Sequence, residues 1–121
     1  MKTCSCSLVP DVCYAQHTPD GWIGALQLVA HAEWKSLQEC TDCKSLWVLG
    51  IPDMGNPQAV FRIEEEAGWE AIDKASEFKE LFLELNGGLS DLPCIKIGCS
   101  SMRVGKFRLC LEHLWALGWR I

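Results

Sequence analysis

The sequence predicts a small α+β domain stapled by metal at both ends. Three observations predict it. Seven cysteines and one histidine of this 121-residue chain fall into two sets at metal-ligand spacing. Short apolar segments bounded by turn residues fill the first half and read as antiparallel strands. A single acidic amphipathic stretch comes next and reads as a helix.

Length and composition suit one compact domain spanning 1–121. Three parts are expected within it: a ribbon and sheet over 1–63, an acidic helix over 64–90 and a C-terminal finger over 91–121. Apolar residues make up 49 %, which is enough for a core and excludes a disordered chain. Met1-Lys2-Thr3-Cys4-Ser5-Cys6-Ser7 is polar and Pro10-Asp11 interrupts the short apolar pair Leu8-Val9, so neither an export signal nor a membrane span is read. A cytoplasmic location without a membrane partner is expected. In a reducing compartment paired thiols read as metal ligands rather than disulfides.

Residues 1–20 show no sustained period. Trp22 to Val29 is apolar enough for a strand or a short helix, and periodicity alone does not decide. Ala30 to Gln38 alternates weakly, as a strand does. Cys40-Thr41-Asp42-Cys43 is then the tip of a zinc-ribbon-like hairpin, and Ser45 to Leu49 is the returning strand. Ile51 to Pro57 is a loop rich in Pro, Gly and Asn. Ala59 to Ile63 is a third strand beside the second. Glu66 to Leu85 is the long helix, closed by Asn86-Gly87-Gly88, with Gly68 a weak point near its start. Gly105 marks a tight hairpin after Cys99. Leu109 to Leu117 is a short helix stopped by Gly118.

Cys94-x4-Cys99-x10-Cys110-x2-His113 is the stronger metal set. Cys110 and His113 stand three apart, so one helical turn points both to the same side. Knuckle, hairpin and helix in that order describe a treble-clef-like finger. The other set joins Cys40 and Cys43 to Cys4 and Cys6, with Cys13 and His17 competing for the same role. Two structural zinc ions are expected. Each set supplies at least four donors, whereas a catalytic zinc keeps one position open. An iron–sulfur or redox protein is the alternative for the cysteine-only set; the histidine in the C-terminal set favours zinc there.

His31-Ala32-Glu33 before Cys40-x2-Cys43 imitates the signature of zinc nucleobase deaminases. Only six residues separate its halves, and Glu39 replaces the proline expected before the first cysteine. A surface His and Glu on a strand is the preferred reading. No nucleophile–base pair or phosphate loop stands out, and no enzymatic activity is expected.

Charge divides unevenly along the chain. Glu64 to Glu84 holds eight acids and two lysines, hence −6, while Leu92 to Ile121 holds five basic residues and one acid, hence +4. Glu66, Glu70, Asp73, Glu77, Glu80 and Glu84 alternate spacings of four and three, which on a helix makes one narrow stripe bordered by Trp69. These seven residues are the candidate partner-binding set, directed at a basic cleft on another protein. The alternative function is a nucleic-acid-binding zinc module using Lys96, Arg103, Lys106 and Arg108, which is disfavoured because that basic patch is modest on an acidic chain.

The layout as a whole resembles small zinc-binding immunity proteins of bacterial polymorphic toxin systems, including Rhs and type VI secretion toxins. The residues carrying the resemblance are Cys4 and Cys6, Cys40 and Cys43 with Trp47, the Glu66–Leu85 helix, Gly87–Asp91, the Cys94/Cys99/Cys110/His113 set and Gly118–Arg120. The resemblance implies a cytoplasmic protein without enzymatic activity. It would bind one cognate toxin domain, one to one, and block that domain's active site.

Overall fold

The computed structural model describes residues 4–51 and 57–120. The fold is α+β with antiparallel sheets. Five strands form the larger sheet: β1 (Val12–Tyr14), β2 (Gln27–His31), β3 (Lys35–Glu39), β4 (Leu46–Gly50) and β5 (Ala59–Ile63). Their spatial order is β1-β5-β4-β3-β2, and every neighbouring pair runs antiparallel. After β5 come helix α1 (Ala75–Leu85), the hairpin β6 (Leu89–Pro93) and β7 (Met102–Val104), and helix α2 (Leu111–Ala116). The chain divides into two compact units, Met1–Lys74 and Ala75–Ile121. The division between the units falls at 74/75, where α1 begins. The helix belongs with the finger because Phe82 of α1 is buried against Val104 and Leu114.

In the first unit the alternation of β-residues sorts two faces. Cys13, Val60 and Leu49 lie in register across β1, β5 and β4. With Trp47 they form one buried face, covered by Cys6, Val9 and Trp22. Leu37, Val48 and Phe61 align on the opposite face and are also buried. Trp22 meets Trp47 edge-on, with ring centroids 4.8 Å apart. The N-terminal twenty residues, read from sequence as irregular, contribute strand β1 and the Cys6 turn to this face. Trp22 to Val29 resolves into a 3-10 turn, Ile23–Ala25, and the start of β2. The single strand expected over Ala30–Gln38 is instead the tip of the β2–β3 hairpin together with β3. The Ala32 amide donates to the Lys35 carbonyl at 2.8 Å and closes that tip. The loop expected over Ile51–Pro57 lies mostly on residues 52–56, outside the described ones.

The long helix expected from Glu66 is shorter. Gly68 adopts a left-handed φ of 74°, Trp69–Ala71 make one 3-10 turn, and Ile72 is extended before α1 begins at Ala75. Trp69 is buried, with the Lys35 ammonium 5.7 Å from its ring centroid. The same ammonium donates to the Glu70 carbonyl. Burial of one large indole thus outweighs continuation of a charged helix, whose like-charged neighbours repel.

In the second unit α1 ends where Gly87 and Gly88 take left-handed φ of 88° and 81°. The Gly88 amide donates to the Leu83 carbonyl at 2.8 Å, a Schellman-type closure. The Gly105 amide in turn donates to the Gly88 carbonyl at 2.8 Å, which ties the turn after β7 to the helix end. Lys79 of α1 pairs with Glu112 of α2 at 3.1 Å.

Candidate metal centres

The β3–β4 connection builds the N-terminal knuckle. The Lys44 amide donates to the Cys40 carbonyl at 2.8 Å, and the Cys40 amide to the Ser45 carbonyl at 3.0 Å. Lys44 holds a left-handed φ of 66°, the one non-glycine residue to do so among the described residues. This reversal places the Cys40 and Cys43 sulfurs side by side. The 3-10 turn Cys6–Leu8 brings Cys6 to them, with Cys4 alongside. The four sulfurs lie within 4.8 Å of one another.

Three side chains buttress this cluster. The Trp22 indole N–H donates to the Cys6 sulfur at 3.3 Å. Ser45, the one buried polar side chain among the described residues, has its oxygen 3.0 Å from the Cys43 sulfur and 3.4 Å from the Cys6 sulfur. The Trp47 indole donates to that same oxygen at 2.9 Å. For Cys43, burial pushes the thiol up. Hydrogen bonds from the Ser45 hydroxyl and amide and from the Cys6 and Cys40 thiols overcome it, and the net result is a thiol lowered to about 6. Cys40 moves the other way, raised by burial against the amides of Cys43 and Asp42. One sulfur thus carries thiolate character while the Cys40 thiol holds a proton that a cation would displace.

The C-terminal cluster is assembled from the β6–β7 connection and the start of α2. The Cys94 amide donates to the Ser101 carbonyl at 2.9 Å and the Cys99 amide to the Lys96 carbonyl at 3.1 Å, with Gly98 left-handed between them. Cys110 is the N-cap of α2, and His113 lies one turn later. The His113 Nδ1 stands 3.1 Å from the Cys110 sulfur and 3.3 Å from the Cys94 sulfur; the Cys99 and Cys110 sulfurs are 3.8 Å apart. Burial raises the Cys94 thiol. The amides of Lys96 and Cys110, then His113 and Cys99, outweigh that and lower it to about 6. Cys110 is raised, first by burial and further by its sulfur neighbours Cys99 and Cys94.

All eight expected ligands therefore converge in two groups, each able to hold a metal ion. All eight cysteines are free thiols. The competitors are left out of both groups. Cys13 points into the sheet core, where burial pushes its thiol up to about 11, and His17 is exposed on a 3-10 turn. Neither group includes His31 or Glu33, which lie exposed at the β2–β3 hairpin. The deaminase-like spacing thus has no metal geometry behind it.

The acidic set is not brought together on one helix. Glu77, Glu80 and Glu84 are exposed on α1. Glu66, Glu70 and Asp73 are exposed on the irregular segment before it, in the other compact unit, and Trp69 is buried. The buttressing Ser45 and Trp22 were not singled out from sequence. The available signal was Ser45 itself, a polar residue two positions after a ligand on an otherwise apolar strand.

No protein-family model, curated protein or solved structure matches this chain. Among the described residues no helix is long and apolar enough to cross a membrane.

Proposed function

We propose that the chain holds two structural zinc ions and acts as a non-catalytic binding protein, an immunity factor that covers the active site of a cognate toxin domain. The observation that carries the structural-zinc reading is the convergence of four soft or borderline donors in each cluster. Zinc–sulfur bonds of about 2.3 Å give tetrahedral sulfur–sulfur edges of about 3.8 Å and sulfur–nitrogen edges of about 3.5 Å. The Cys99–Cys110 separation of 3.8 Å and the His113 contacts of 3.1 and 3.3 Å are close to those edges. Four protein donors complete a tetrahedron and leave no vertex for a reacting water. Knuckle, turn and helix N-terminus in the second unit support a treble-clef-like finger.

With closed metal sites, what remains to act is the surface. The immunity reading is supported by the resemblance of the layout and by six exposed carboxylates suited to a basic cleft. Trp69 has no part in that contact, because it is buried inside its own unit. Persistent thiolate ligands suit the reducing cytoplasm.

Native mass spectrometry of the purified chain should show two zinc ions. The toxin domain encoded beside the chain should form a one-to-one complex with it. The acids are to be reversed in two blocks, Glu66/Glu70/Asp73→Lys and Glu77/Glu80/Glu84→Lys, because they belong to different units. At least one block should weaken the complex about tenfold or more. Unchanged affinity in both blocks removes the carboxylates from the interface, and failure to form any complex removes the toxin-blocking reading.

A further inference from the structure

The C-terminal knuckle carries an apolar tip that nothing in its own unit covers. Ile97 is fully exposed, at 104 % of its reference area, and Ile95 is 55 % exposed. Two branched aliphatic side chains standing in water at a loop tip are an unfavourable use of apolar surface. The backbone beneath them is turned inward. The amide of Cys94 donates to Ser101, that of Ile95 to Arg108, that of Lys96 to the Cys94 sulfur, and that of Cys99 to Lys96. Four of the six amides from Cys94 to Cys99 therefore have partners within the unit. These four stay satisfied when the tip enters a headgroup layer, whose oxygens can accept from the amides of Ile97 and Gly98 at its end.

Positive charge adjoins the tip. Lys96 sits between the two isoleucines, and Arg108 is adjacent through the Ile95 amide, 3.0 Å from its carbonyl; both side chains are exposed. We propose that this knuckle tip docks on an anionic lipid bilayer, Ile97 and Ile95 entering the headgroup–acyl boundary while Lys96 and Arg108 meet the lipid phosphates and carboxylates. The tip is convex, so a protein partner would need a matching socket, whereas a bilayer accommodates a protrusion. Branched aliphatics cannot stack on bases, so the tip adds nothing to a nucleic-acid contact. The chain is acidic overall, at −5, but screening within about 10 Å at 0.1 M salt leaves the local cations in control of the contact. The contact is a surface association, independent of toxin binding, and needs no membrane-spanning helix.

The test uses the zinc-loaded full chain and sedimentation with vesicles of phosphatidylcholine, with and without roughly a third phosphatidylserine. Binding should be at least about tenfold tighter to the anionic vesicles and should weaken with salt. Ile97→Asp should lower it about tenfold, and Lys96/Arg108→Glu should abolish it. Both variants should retain two zinc ions, since the altered side chains are exposed. Failure to bind anionic vesicles overturns the proposal, as does equal binding by Ile97→Asp. Salt-sensitive binding to RNA or duplex DNA that ignores Ile97, with no vesicle binding, reassigns the basic residues to nucleic acid and overturns it as well.

Discussion

Ser45 shows how a single hydroxyl organises the N-terminal cluster. It has one proton to give. The Trp47 indole already donates to its oxygen at 2.9 Å, so the hydroxyl proton is directed at a sulfur, Cys43 at 3.0 Å or Cys6 at 3.4 Å. Four thiolates around one dication leave a net charge of −2, and donors from Ser45 and Trp22 spread that charge. The C-terminal set, with a neutral imidazole in place of one thiolate, carries less charge to offset. Ser45→Ala should therefore loosen the N-terminal ion and leave the other unchanged. The stability cost should be about 1–3 kcal/mol, because the buried Trp47 N–H loses its acceptor. On the two-zinc proposal, metal transfer to a chromogenic chelator checks this: one of two ions should leave faster, and Ser45→Thr, which keeps the hydroxyl, should restore the slow phase. Faster loss of both ions, or of neither, rejects the role. Cys13 illustrates the opposite case. It was a competing ligand on spacing alone, but its place on β1 opposite Val60 turns it into the core.

At the scale of elements, the turn at Gly105 joins β7 to the end of α1. Its φ is +50°, and a Cβ there would lie 2.0 Å from the Asn86 carbonyl oxygen, which is backbone and cannot swing away. Gly105→Ala should cost on the order of 3 kcal/mol. Thermal unfolding monitored by circular dichroism should show the loss, and metal held by the C-terminal set should become easier to extract. A wild-type melting curve would mean that the turn opens without consequence for α1. The glycine was legible in the sequence as a turn, and so were β4, β5, both knuckles and the helix cap after Leu85. These are features written in adjacent residues, as paired cysteines, glycines and β-branched runs. What sequence could not give was the start of α1. The acids from Glu66 onward keep helical spacing, yet Trp69 finds a buried place beside Lys35 of β3, a partner more than thirty residues away. Strand β1 was hidden for the same reason. Three residues carry no period of their own, and Val12–Tyr14 become a strand only because β5 offers an edge.

At the scale of the whole molecule, each ligand set lies inside one compact unit: Cys4, Cys6, Cys40 and Cys43 in Met1–Lys74, and Cys94, Cys99, Cys110 and His113 in Ala75–Ile121. Units of 74 and 47 residues bury limited apolar surface, and chains this small commonly depend on a metal or disulfide staple. The second unit is the more dependent. Its buried cluster is Phe82, Val104 and Leu114, whereas the first has a five-stranded sheet with Trp47, Leu49 and Val60. Because a ligand site rarely preforms in an unfolded chain, metal affinity is folding energy. With the proposed zinc in each set, Cys110→Ser should remove one ion and unfold the second unit, while the first keeps its ion and its sheet. Cys40→Ser should remove the other zinc but leave residual strand structure in the first unit, since a larger core remains. Amide hydrogen exchange read by mass spectrometry separates the two cases. In Cys110→Ser, protection should vanish from Ala75 onward and persist over β3, β4 and β5. Protection lost across the entire chain from either substitution would show that the two metals staple one cooperative structure rather than two.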